Sequence, residues 1–143
     1  MFIIPTLDIG GAEVSTITII NKLANEENII HLLTCNRDGI LRQKINKNVI
    51  ITQLPFPKIS RCILPIAQYI NKYKPDVFFS IIFNCNIISM ISIFISGHNC
   101  KKIISERIST KISLKDFNLI NRQIIKLIAF ITFIYADKII TVS

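Results

Sequence analysis

Phe2-Ile3-Ile4-Pro5-Thr6-Leu7-Asp8-Ile9-Gly10-Gly11-Ala12-Glu13 is an apolar strand running into a two-glycine loop, with a helix beginning behind it. Gly10 and Gly11 lack a Cβ, so a ligand can approach bare backbone there. The first N–H groups of the helix are unpaired within it and lie at its partly positive end. Strand, glycine loop and helix start together make a seat for a phosphate or another anion. The same two glycines also fit a plain tight turn, and the residues alone leave both readings open.

Outward from this stretch, strands and helices alternate. Helix one is expected over about 12–25, with Val14, Ile17, Ile20 or Asn21, and Leu23-Ala24 at helical spacing. Strand two is Ile29 to Thr34, followed by the turn Asn36-Arg37-Asp38-Gly39 and a short amphipathic helix near Ile40 to Ile45. Strand three is Val49 to Leu54, ended by Pro55 and Pro57. A helix with Pro65 in its first turn ends at Tyr73-Lys74, before Pro75. Strand four runs from Val77 to about Phe83. Asn84 or Asn86 is the expected cap of a helix that reaches Ser96 and closes at Gly97. Strand five is Lys102 to Ser105, residues 108–115 read as loop, a long helix spans about 116–135, and strand six is Lys138 to Val142. This pattern predicts an α/β fold: a doubly wound, Rossmann-like parallel sheet in order 3-2-1-4-5-6 with helices on both faces.

Composition narrows the class. The chain has 143 residues, room for one domain with a real core. It is 50% hydrophobic with mean hydropathy +0.49, and Ile makes up roughly a quarter of it, against a usual profile led by Leu and Ala. Val77 to Ser96 and Ile124 to Ala136 could be mistaken for membrane spans. Asn84 and Asn86 interrupt the first and the second is too short, so both read as core elements of a sheet covered on both faces. No signal peptide is visible, and a cytoplasmic chain is expected. Cys35, Cys62, Cys85 and Cys100 show neither C-x-x-C spacing nor a metal pattern with His31 or His98. They read as small buried hydrophobes, with no metal site. His31 lies within a strand and reads as a packing histidine or an exposed one.

Net charge is +8, from 17 basic and 9 acidic residues. The aromatics do not interleave with basic residues, which argues against nucleic acid. Lys101, Lys102, Lys111, Lys115, Arg122 and Lys126 crowd the last third. They make either a patch for an anionic membrane, at the inner face, or a scattered solvated surface.

In a doubly wound sheet, ligands gather at the carboxyl ends of the strands. Gly10 and Gly11 after strand one, Asn84 and Asn86 after strand four, and Glu106 and Arg107 after strand five all fall there. Arg107 can clamp a phosphate bidentately. Glu106 can accept from a sugar hydroxyl or hold the arginine. The Asn pair suits hydroxyls. Both G-x-G-x-x-G and the Walker pattern are absent, which speaks against NAD and P-loop chemistry.

Five ordered motifs then carry a resemblance. Pro5-Thr6-Leu7-Asp8-Ile9-Gly10-Gly11-Ala12-Glu13 resembles the P-x-L-x-x-G-G-A-E opening of family-4 glycosyltransferases. Leu32-Leu33-Thr34, Lys74-Pro75-Asp76-Val77, Ser105-Glu106-Arg107 and Ala136-Asp137-Lys138-Ile139-Ile140-Thr141-Val142-Ser143 resemble later landmarks of that family in the same order. The resemblance implies the N-terminal, acceptor-side half of a GT-B enzyme over residues 1–143, the donor-binding half with its E-x7-E motif being absent. It implies retaining transfer from a nucleotide-sugar to a glycan or lipid-linked acceptor in cell-surface polysaccharide synthesis, without metal or cofactor. It also implies that the chain is inactive alone. Relatives carry a His after strand four. Here the region reads Asn84-Cys85-Asn86, so no catalytic residue is assigned. The rival readings are a non-catalytic binding or membrane-associated module, and another nucleotide-binding Rossmann domain.

Overall fold

The computed structural model describes residues 1–25, 27–106 and 119–141, with side chains from residue 123 onward in the last stretch. Six strands form one sheet: β1 (Phe2–Ile3), β2 (Ile30–Thr34), β3 (Val49–Gln53), β4 (Val77–Ile81), β5 (Lys101–Glu106) and β6 (Lys138–Thr141). Their order is β3-β2-β1-β4-β5-β6, and every pairing is parallel. Among the described residues four helices accompany them: α1 (Gly11–Leu23), α2 (Ile63–Tyr73), α3 (Phe83–Ser96) and α4 (Leu119–Tyr135). Two 3₁₀ turns, Ile40–Lys44 and Ile59–Arg61, lie in the connections before and after β3. The expected strand order is therefore the observed one.

Successive residues of a strand point to opposite faces, and the sequence supplies apolar side chains to both. Ile3, Leu33, Phe78 and Ile104 join the core under α2 and α3, on the side that α4 also covers. Phe2, Ile4, Leu32, Phe79 and Ile81 join the core under α1 and the first 3₁₀ turn. Two-sided burial explains the long Ile-rich runs. No helix among the described residues is long and apolar enough to cross a membrane, and the run 77–96 is β4 followed by α3.

Several local expectations change. Helix α1 buries Thr16, Ile17 and Ile20, while Val14 and Leu23 face solvent. The face toward the sheet is thus rotated from the one apolar spacing suggested. Thr16 fits it because its hydroxyl donates to Ala12 O (2.6 Å). Neither Asn84 nor Asn86 caps α3. The N-cap is Ile82, at φ 80 and ψ 133, with no side-chain cap bond. Both asparagines lie inside the first turns, because β4 ends two residues earlier than expected, at Ile81. The predicted ends hold elsewhere: Lys74 adopts the left-handed conformation before Pro75, and Gly97 (φ 66) closes α3. The predicted loop over 108–115 lies outside the described residues.

Candidate functional site

The order of winding reverses between β1 and β4, so the switch point lies between the loop after β1 and the turn after β4. Gly10 is the N-cap of α1 in extended conformation, and Gly11 is the first helical residue. The two glycines differ in surroundings. A Cβ on Gly11 would meet nothing within 4 Å, whereas one on Gly10 would collide with the Glu13 carboxylate. Gly11 is thus the open half of the seat, and Glu13 covers the other half. Glu13 also acts electrostatically on Cys85 in the first turn of α3, adding to the burial that pushes that thiol up. The carboxylate lies over Gly10, at the start of α1. A sugar hydroxyl can donate to it, while a phosphate at Gly10 requires it to move aside.

Across the switch point, Ile82 holds a positive φ that β-branched residues rarely adopt. It turns the chain sharply from β4 into α3. Asn86, one turn in, is buried. Ser80 Oγ donates to its Oδ1 (2.8 Å), and its Nδ2 donates to Ser105 O (3.1 Å) and Glu106 Oε2 (3.3 Å). One side chain thus ties β4, α3 and β5 together and fixes the Glu106 carboxylate at the sheet edge. Asn84, by contrast, is exposed and lines an open cavity of about 480 Å³.

The structure brings Asn86 and Glu106 into direct contact, and the sheet order sets Gly10 and Gly11 on the neighbouring strand end. Arg107 lies outside the described residues. Two features escape a reading of the sequence. Arg37, on the turn after β2, keeps a buried Nε without a hydrogen-bond partner among the described residues, at this same edge. Gly39 is the tightly packed glycine: a Cβ there would run into the backbone of Leu7 and Asp8. It sets the approach of the first 3₁₀ turn, where Leu41 N donates to Leu7 O (2.9 Å), and so shapes the loop leading to Gly10. The turn motif Asn36-Arg37-Asp38-Gly39 was its one sequence signal.

The opposite edge is built differently. Lys102, counted in sequence among the surface lysines, is buried. Its Nζ pairs with Asp137 Oδ2 (3.0 Å) and lies 4.8 Å from the Tyr135 ring centre. The Lys102 N–H donates to the same carboxylate oxygen (2.6 Å), and these bonds hold Asp137 below the usual carboxylate range. Lys102 therefore leaves the proposed basic patch; Lys101 and Lys126 are exposed. The structure also buries His31, whose Nδ1 lies 2.8 Å from the Tyr69 hydroxyl, itself 2.8 Å from Thr52 Oγ1. All four cysteines are free and buried, and no group of metal-ligating side chains is found among the described residues.

No protein-family model and no curated protein matches this sequence. Among solved structures the fold is similar to "lipopolysaccharide outer core galactosyltransferase WaaB apo form", with TM-score 0.55 and 17% identity over 96% of this chain. The chain spans 37% of that structure's length. At this identity the likeness speaks for the fold alone: a six-stranded parallel α/β sheet, Rossmann-like.

Proposed function

We propose that this chain is the N-terminal, acceptor-side half of a retaining family-4 glycosyltransferase, taking a sugar from a nucleotide-sugar to a glycan or lipid-linked acceptor. The observation that supports it most is where the motifs fall. Pro5 to Glu13 forms the β1–α1 loop, Lys74-Pro75-Asp76-Val77 enters β4, Glu106 ends β5, and Ala136-Asp137 enters β6. The ligand edge so formed carries Gly11, Glu13, Asn84 and Glu106, groups suited to hydroxyls and to close backbone approach. Retaining transfer needs the leaving diphosphate held and its growing charge stabilised by preorganised groups. In the family resembled, that task falls to the donor-binding half. One wall of a cleft also cannot exclude water or align two substrates. Cell-surface polysaccharide synthesis at the cytoplasmic face belongs to the same reading. Peripheral membrane contact fits too, because Ile124, Leu127, Phe130, Ile131 and Ile134 of α4 are all more than half exposed.

The test is transfer from a panel of nucleotide-sugars, with and without a co-expressed C-terminal half. The reading expects turnover only with both halves. Robust transfer by the 143-residue chain alone, or stabilisation by NAD and not by nucleotide-sugars, would contradict it.

A further inference from the structure

Arg37 stands on the turn that follows β2, at the carboxyl-terminal edge of the sheet. Its side chain is partly buried, and its Nε is fully so, with no hydrogen-bond partner among the described residues. A buried donor left without a partner costs stability, the more so when it carries charge. The turn does not need that donor for its own shape. Asn36 Oδ1 accepts from Asp38 N (3.0 Å), Thr34 Oγ1 donates to Asn36 O (3.0 Å), and the Asp38 carboxylate faces Arg42 (4.0 Å). Gly39 packs on the backbone of Leu7 and Asp8 too closely for a Cβ to fit, and Leu41 N donates to Leu7 O (2.9 Å). These contacts seat the turn against the β1–α1 loop whatever residue stands at 37. The guanidinium is thus held on a fixed support with its inner donor shielded from water and unused.

A guanidinium presents its donors as a planar fork that matches the two oxygens of a carboxylate or a phosphate. The surrounding charge selects between them. Arg42 and Asp38 offset each other. Asp8 lies on the loop against which the turn packs, and Glu13 lies over Gly10 at the end of that loop. A phosphate dianion would meet one free cation and two carboxylates there. A carboxylate needs only the one cation, and the hydroxyls of its bearer can donate to acids such as Glu13.

We propose that Arg37 recognises the carboxylate of an acidic sugar, a uronic acid, at this edge. That the sugar is the acceptor rests on the glycosyltransferase reading; the binding itself does not. Two consequences separate this from a structural role. Replacing Arg37 removes binding, and it does not weaken the empty fold, because it takes away a buried donor that has no partner.

The test is NMR titration of the full chain with methyl glucuronide. Its neutral amide, methyl glucoside and inorganic phosphate serve as comparisons. The Nε–H signal of Arg37, identified by its loss in Arg37→Met, is the probe. It should shift and saturate with the uronate, at an affinity at least about tenfold above that of the neutral amide. Arg37→Met should bring the uronate down to the level of its amide and leave the midpoint of urea unfolding unchanged or higher. Arg37→Lys keeps the charge without the fork and should restore binding only in part. A uronate bound no better than its amide, phosphate bound more tightly, or affinity unchanged in Arg37→Met would overturn the proposal. A lowered urea midpoint in that variant would also overturn it, by revealing a structural partner. In the two-half enzyme, transfer no faster to acidic than to neutral acceptors, and equal in Arg37→Met, would overturn it while sparing the glycosyltransferase reading. Uronate binding at Arg37 without transfer by the two halves together would support it and count against that reading.

Discussion

The two edges of the sheet are made from similar residues and end in different states. At the amino-terminal edge, polar groups meet one another. Lys102 finds Asp137 and Tyr135, and His31 finds Tyr69. At the carboxyl-terminal edge, Asn86 is satisfied internally so that its neighbours can be held in place, while Gly11 and Asn84 stay open to solvent. Closed polar networks stabilise; open polar groups on rigid supports bind. Each edge carries one positive-φ residue other than glycine: Lys74 closes α2 at the amino-terminal edge, and Ile82, with its branched side chain, stands at the open one.

Substitutions can break this contrast, and the largest effect belongs to the support beneath the open edge. Asn86→Leu leaves Ser80, Ser105 O and Glu106 without their shared partner. It should cost roughly 2–4 kcal/mol in urea unfolding. Gly39→Ala forces a Cβ onto the Leu7–Asp8 backbone and should cost about 1–3 kcal/mol by the same measurement. A neutral result would mean the loop before Gly10 is free to shift.

At the closed edge, Asp137→Asn removes the partner of a buried lysine. Because the Asp137 side chain is nearly half exposed, solvent screening limits the loss to about 1–2 kcal/mol at neutral pH. The folded carboxyl titrates below its ordinary value. Its contribution is therefore complete above the unfolded carboxylate range and is lost as pH falls through the folded value. The gap between native and variant chains should narrow in acid; a gap constant with pH would assign the effect to packing. The smallest change is Gly11→Ala. Nothing occupies the space its Cβ would fill, so helix propensity should add about 0.5–1 kcal/mol of stability. In a reconstituted two-half enzyme, the same methyl group should lower transfer. Unchanged transfer would remove Gly11 from the ligand edge.

Much of this was legible in the sequence, for reasons tied to particular residues. The sheet order follows from alternating Ile-rich strands and helices with clear stops, such as Lys74-Pro75 and Gly97. The ligand edge follows from the order, since every loop after a strand must lie there. The local geometry was not legible. Asn86 reads as a cap because asparagine usually caps, and its real partners lie six, 19 and 20 residues away. Lys102 reads as surface because lysine is almost never fully buried unless paired, and its partner Asp137 is 35 residues on. The Ile82 turn has no signal at all, as the residue type argues against the conformation it adopts.

The most direct measurement maps ligand binding on the sheet itself. A cavity of about 620 Å³, bordered by His31, Tyr73 and Asp76, lies at the amino-terminal edge and exceeds the one of about 480 Å³ that Asn84 lines. Backbone amide shifts of the labelled chain should be followed during titration with nucleotide-sugars. Shifts at Gly10, Gly11, Asn84 and Glu106, with His31, Lys102 and Asp137 unmoved, are the predicted result. Shifts centred on His31, Tyr73 and Asp76, with the glycine loop silent, would contradict it.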